Sequence, residues 1–381
     1  LIPFAFAMAG LITRDHKGWA TPALPWGMFA AAILGTGIMM GAAWAYESLT
    51  FGGYWAWDPV ETASLVPWLI SICGIHTLIA YKHTGHSLRA TFLFFILQFL
   101  FIIYSTFLTR SGILGDTSVH AFTDLGMNAQ LLTFLLIFVL PSLLLFGLRY
   151  KQIPTIVKEE AISAREFWLF VGSLLFFISA IFIIGKTSLP VINKIFGTKY
   201  APAQDIEYSY NKVLILFSFV IAMLTAIGQY LKYKQTSRAA FIKSIWLPTL
   251  IALIASLSIS IFGDINYTKY GVGFLAAIHL GIFAAVYSVI ANGMYIVTGI
   301  KGKMIKAGAS IAHVGFGLTL LGILISASKK EVLSWNTSGI MVMIFFCIGS
   351  MPGVGVIFWV RYITARLIAG RMKYGSGAVR F

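Results

Sequence analysis

At 381 residues the chain is 59% apolar, carries only 11% charged residues and has a mean hydropathy of +0.86. A water-soluble domain has roughly 25% charged residues, so this composition excludes one and specifies a polytopic membrane protein. The net charge of +15 does not point to nucleic acid, because the basic residues fall in short loops between apolar runs, where membrane topology places them.

Eleven apolar runs predict an all-α bundle of about eleven transmembrane helices: 1–12, 27–46, 67–81, 90–108, 130–148, 167–184, 212–231, 245–262, 273–296, 307–325 and 340–360. The first run opens at Leu1 with neither Met nor a basic n-region, so the sequence reads as starting inside a longer protein. With the 13–26 loop in the cytoplasm, the cytoplasmic loops and tail hold 20 Lys and Arg and the opposite side 8. This bias puts the loops 47–66 and 109–129 outside, in a bacterial periplasm.

The first outer loop leads into "FGGYWAWDPVETASLVPW", where Tyr54, Trp55, Trp57 and Trp68 surround Asp58 and Glu61; the nearest basic residues in sequence are Lys17 and Lys82. Such rings suit a large flat ligand, and equally an interfacial aromatic belt. The second outer loop carries Arg110 and His120.

His76, His279 and His313 lie inside apolar runs, where an imidazole needs a partner and marks a functional position by default. His76 is predicted five residues from the cytoplasmic end of its helix and His313 six from the start of its own, roughly 8–9 Å deep in each case. Two imidazoles at one level on different helices suit axial coordination of a haem iron. Glycines 74, 308, 315 and 317 would let a macrocycle approach the backbone. His279 lies near the outer end of its run and stays unassigned. His16, His83 and His86 read as solvated loop residues. Cys73 and Cys347 stand alone in apolar runs, with no CxxC pairing.

The segment "GGYWAWDPVETASLVPWL" resembles the WWD signature of the haem-handling proteins of cytochrome c biogenesis. "FLTRSGILGDTSVHAF", "GIHTLIA" and "IAHVGFG" extend the resemblance to the haem lyase members of that family, over residues 1 to about 335. The resemblance implies that the WWD loop holds haem brought by a haem chaperone. It implies that His120 is one iron ligand there, that a second ligand histidine precedes Leu1, and that His76 and His313 bind a permanent haem b. Phe51 stands where the family commonly has Trp. Only about 14 residues, 326–339, stand where the family carries a sizeable periplasmic domain.

The expected domains are therefore 1–338, a haem-handling transmembrane unit, and 339–381, a last helix with a basic tail that matches the family poorly. The expected activity is a haem lyase acting within a multi-subunit complex in the bacterial inner membrane, with the WWD loop facing the periplasm. It would join haem to the CxxCH thiols of apocytochrome c alongside other maturation subunits. Trp55, Trp57 and Trp68 would grip the ring, His120 hold one axial face and Arg110 a propionate. Asp58 and Glu61 would bond indole N–H groups and shape the loop. Haem b on His76 and His313 would pass electrons, from quinol, to the outer iron. The alternatives are a haem transport or chaperone module without ligation activity, and a haem-b quinol oxidoreductase subunit.

Overall fold

The computed structural model describes residues 1–47, 54–115, 117–118, 126–156, 160–267 and 270–328. Eleven α-helices run in chain order: α1 Ile2–Thr13, α2 Ala20–Glu47, α3 Pro59–Thr84, α4 Leu88–Arg110, α5 Asn128–Arg149, α6 Arg165–Thr187, α7 Leu189–Phe196, α8 Ile206–Gly228, α9 Arg238–Phe262, α10 Val272–Thr298 and α11 Gly308–Ser328. Nine are long and apolar enough to cross a membrane, among the described residues. The first predicted span is the short apolar α1, and α7 is a surface helix between spans that hydropathy did not anticipate. The predicted span 340–360, the tail 339–381 and His120 lie outside the described residues.

The helices form two groups. In the first, α3 packs against α2, α4 and α6, and α1 and α5 close the outside of α4. Phe92, Phe95, Leu78 and Leu88 are fully or almost fully buried there, and Trp19 lies 4.4 Å from Phe92 between ring centroids. In the second, α10 packs against α8, α9 and α11 around Tyr287, Ile282 and Ala285. The groups meet where α6 packs on α8. On α5, Leu132, Phe134, Ile137, Leu140, Leu144 and Leu148 are all exposed. Such a continuous apolar face is stable against hydrocarbon and costly against water.

Two local features set the site. α3 begins at a capping box: the Asp58 carboxylate accepts from Val60 N–H at 2.8 Å, and Glu61 reaches back to the Asp58 N–H at 3.1 Å. The helix therefore starts eight residues earlier than the apolar run that predicted it. At the other end Gly85 takes a left-handed conformation (φ 82°), its N–H bonding Tyr81 O at 2.8 Å, so the chain turns straight into α4. Gly74 and Gly317 serve helix packing, which corrects the expectation of macrocycle contact. A Cβ on Gly74 would stand 2.6 Å from the Phe95 ring, and one on Gly317 would stand 2.8 Å from Ala285 O.

Candidate functional site

The first site, at the N-terminal end of α3, is built around Trp57. Its φ of 57° is left-handed, a conformation that bulky residues rarely take, at a cost of order 1–3 kcal/mol. Contacts from three directions hold it there. Glu61 Oε2 accepts from both flanking amides, Ala56 N–H at 3.0 Å and Asp58 N–H at 3.1 Å. The indole Nε1–H donates to Asn211 Oδ1 on α8 at 2.9 Å. The ring stacks on Tyr210, 4.7 Å between centroids and 3° from parallel. Trp55 meets Trp57 edge-on at 5.7 Å and 86°.

The loop bridges the two helix groups. Trp57 belongs to the first and stacks on the second, while the Tyr54 hydroxyl is hydrogen-bonded to Ser326 at the outer end of α11. Burial pushes the Tyr54 hydroxyl well above its ordinary range, so it stays a neutral O–H. The second outer loop joins through Ser118, whose hydroxyl donates to Asp58 Oδ1 at 2.6 Å. Thr62 and Thr187 share a 2.7 Å hydrogen bond that fastens α3 to α6 just below.

Both acids thus bond backbone amides at the helix start, and Asp58 also accepts from Ser118. This matches the loop-shaping expectation, but the indole of Trp57 goes to Asn211 rather than to a carboxylate. Trp68 is apart from the shelf. It lies nine residues into α3, roughly 14 Å along the axis from Pro59, and donates to Ala31 O on α2 at 3.1 Å. Arg110 is the exposed last residue of α4.

The shelf also has a cation that its local sequence lacks. Lys186 Nζ sits 3.9 Å from the centroid of Tyr210 and donates to Ser209 Oγ at 2.5 Å. A ring has two faces and Trp57 occupies one, so the order is indole, phenol, ammonium. Tyr210, Asn211 and Lys186 come from more than a hundred residues downstream, where no local signal connects them with the Trp-rich loop.

The inner site joins α3 to α11. His76 and His313 lie deep among protein atoms and within Coulombic reach of each other. Their helices do not pack along one another. Both residues are partly buried. The His76 Nδ1–H donates to Ile72 O at 2.8 Å, which leaves the Nε2 lone pair for a metal. His313 Nδ1 lies 3.4 Å from the Gln229 side-chain nitrogen. Gln229 in turn accepts, through Oε1, from the Arg165 guanidinium.

The equal-depth argument needs correcting. α3 runs on to Thr84, so His76 is about 12 Å from its end against about 8 Å for His313 in α11. His279 is bonded through Nδ1 to Ser260 Oγ at 2.9 Å, a link between α10 and α9. Gln229 and Arg165 were missed; each is a polar residue at a span end, where solvation is the default reading.

Residues 2–114 match the model of the cytochrome c assembly protein family. Curated relatives extend the match over most of the chain. The cytochrome c-type biogenesis protein CcmF of Pseudomonas aeruginosa is 33% identical over 344 residues, 86% of this chain and 50% of the relative. Residues 2–114 carry the signature of the cytochrome c assembly family, and the likeness to CcmF runs over most of the chain. CcmF of Escherichia coli is 30% identical over 328 residues, 85% of this chain and 49% of the relative. The chain spans about half the length of the curated relatives it matches. A solved structure titled Cytochrome c Heme Lyase CcmF has the same fold. It matches with a TM-score of 0.61 and 24% identity, over 84% of this chain and 48% of that one.

Proposed function

We propose that this chain is the haem-holding part of a cytochrome c haem lyase of the bacterial inner membrane, with the Trp shelf facing the periplasm. The observation that carries this reading is the pairing of two sites: an aromatic shelf at the N-terminal ends of α3 and α8, and, farther along, His76 on α3 facing His313 on α11 beside Gln229 at the end of α8. The likeness to CcmF cytochrome c-type biogenesis proteins supports the same reading.

At the shelf, the flat faces of Trp55 and Trp57 would hold the transferred haem, with His120 as an axial ligand. Chemistry there is addition: each apocytochrome thiol S–H crosses a vinyl C=C, sulfur bonding one carbon and the proton going to its neighbour. No net oxidation occurs, so placement of vinyl against thiol supplies most of the catalysis. The fixed φ of Trp57 and the Glu61 pin serve that placement. Arg110, at the exposed end of α4, would pair with a propionate. A haem chaperone would deliver the substrate, and other maturation subunits would present apocytochrome c.

The inner residues fit a b-type haem. His76 has its Nε2 lone pair available, His313 is the second nitrogen donor, and their helices do not pack along one another. A haem bound there would supply electrons, from quinol, that keep the transferred iron ferrous. His76 would ligate the group through Nε2, in the tautomer fixed by Ile72 O. For His313 to do so through Nε2, its proton must rest on Nδ1 and the Gln229 carboxamide must turn its oxygen to the ring. The unit responsible is residues 1–338.

A reduced-minus-oxidised spectrum with a pyridine haemochrome tests the inner half. His76→Ala and His313→Ala are each expected to lose the b-type signal, and full retention in both overturns it. For the outer half, His120→Ala is expected to abolish cytochrome c assembly while the b-type spectrum persists. Unimpaired assembly in that variant would favour a transport module.

A further inference from the structure

Arg165, the first residue of α6, lies on the cytoplasmic side of the buried histidine pair, and nothing in the proposed function uses it. Its guanidinium donates to Gln229 Oε1, and the same carboxamide approaches His313 Nδ1 at 3.4 Å. It therefore stands one side chain away from an iron ligand. It is also within Coulombic reach of both His76 and His313.

Its position is over-determined by the turn that follows α8. The Arg165 N–H donates to Lys232 O at 2.9 Å, and the buried Glu166 carboxylate accepts the Lys234 N–H at 2.9 and 3.0 Å. Lys234 is left-handed there (φ 71°), a strained backbone that the carboxylate holds in place. The guanidinium lies 5.5 Å from the centroid of Tyr233, and Tyr233 stacks on His83 at 4.2 Å and 19°. The turn, the start of α6 and the end of α3 thus form one braced corner. Yet among the described residues no carboxylate forms an ion pair with Arg165; the ion pair present joins His86 to Glu160. A half-buried guanidinium has five N–H donors, and one bond to Gln229 leaves capacity for a bidentate anion.

We infer that Arg165 is the anchor for a carboxylate of the porphyrin held between His76 and His313, fixing the rotation of the macrocycle about the axis joining the two imidazoles. This rests on the reading of that pair as a haem site. Two axial ligands leave the ring free to spin about their common axis. One charge-assisted pair at its edge removes that freedom and sets which edge faces the cytoplasm. Arg165 is a positioning residue. The phosphate of an anionic lipid headgroup presents the same chemistry at this depth and is the competing source.

The test is titration of the full-length chain, purified in zwitterionic nanodiscs and stripped of haem, with haem and with haem dimethyl ester. The wild type, Arg165→Gln, Arg165→Lys and His313→Ala are compared, with thermal melting of each as a fold control. The expected result is that Arg165→Gln weakens haem binding about 10- to 100-fold, the scale of charge-assisted hydrogen bonds. Its affinity for the dimethyl ester should match the wild type, and Arg165→Lys should restore part of the loss. Equal haem affinity in wild type and Arg165→Gln overturns the proposal. A parallel loss of haem and ester also overturns it, because that marks a role in folding the corner. A haem preference that phosphatidylglycerol in the nanodisc abolishes assigns the arginine to lipid and overturns it too. If His313→Ala binds haem as the wild type does, the haem-pair reading fails and takes the anchor with it; if only the arginine arm fails, that reading stands.

Discussion

The two sites are built by opposite means. The inner one consists of residues within regular helices, or one residue beyond a helix end for Gln229, and the helix axes fix where the side chains lie. The outer one rests on a non-helical loop whose central residue, Trp57, is in a conformation its side chain disfavours. A carboxylate, a carboxamide and a stacked phenol hold it there. On the proposed function, regular helices suit a resident group, whereas a strained loop over-determined by side chains suits a cargo that must be released.

The sharpest way to break this comparison is to remove one site and read the other. His313→Ala should eliminate the b-type absorbance while leaving the Trp57 fluorescence environment unchanged, and Trp57→Ala should do the reverse. Loss of both signals in either variant would mean that the sites are one. Next in size is Glu61→Ala. It strips an acceptor from two loop amides and half the capping box from α3, a loss of about 2–3 kcal/mol of loop stability. Amide exchange at Ala56 and Asp58 should accelerate by the corresponding factor, with His76 helix amides unaffected.

A smaller effect is expected from Gln229→Glu. A carboxylate accepting from His313 Nδ1–H makes that ligand more basic and favours ferric iron. Redox titration should show a midpoint lowered by about 60 mV for each tenfold change in relative affinity. The smallest is Tyr54→Phe, which removes the hydroxyl bonded to Ser326 and should cost about 1 kcal/mol. Burial displaces the Tyr54 hydroxyl upward, so it stays protonated through the neutral range, and the stability tied to that protonated state falls progressively as the pH rises from the ordinary tyrosine range toward the displaced value. Melting curves between pH 6 and 9 that differ by the same amount for wild type and variant would bear this out.

The legibility of the sequence divides along the same line. A histidine in an apolar run stands out in any sequence, so His76 and His313 could be chosen without coordinates. The ten described runs all became helices, because long apolar stretches in lipid have no other way to satisfy their backbone. The start of α3 was misplaced because "DPVE" is polar and hydropathy begins only at Pro67, although the Asp58 and Glu61 spacing writes a helix start. That slip drew Trp68 onto the shelf, whereas the helix carries it down to Ala31. Tyr210, Asn211 and Lys186 were beyond reach for another reason: their approach to Trp57 is set by the packing of α6 on α8, and contacts so distant in sequence leave no periodicity to read.

One consequence follows from Pro67. α3 and α8 each run like struts from the shelf to the histidine pair, about 25 Å by the rise from Pro59 to His76. Pro67 has no amide hydrogen to give Ala63, so the α3 ladder misses a rung part-way along, while α8 has no proline within it. The upper end of α3, which carries the loop, therefore depends for its place on cross-links to its neighbours: Thr62 to Thr187 on α6 and Trp57 to Asn211 on α8.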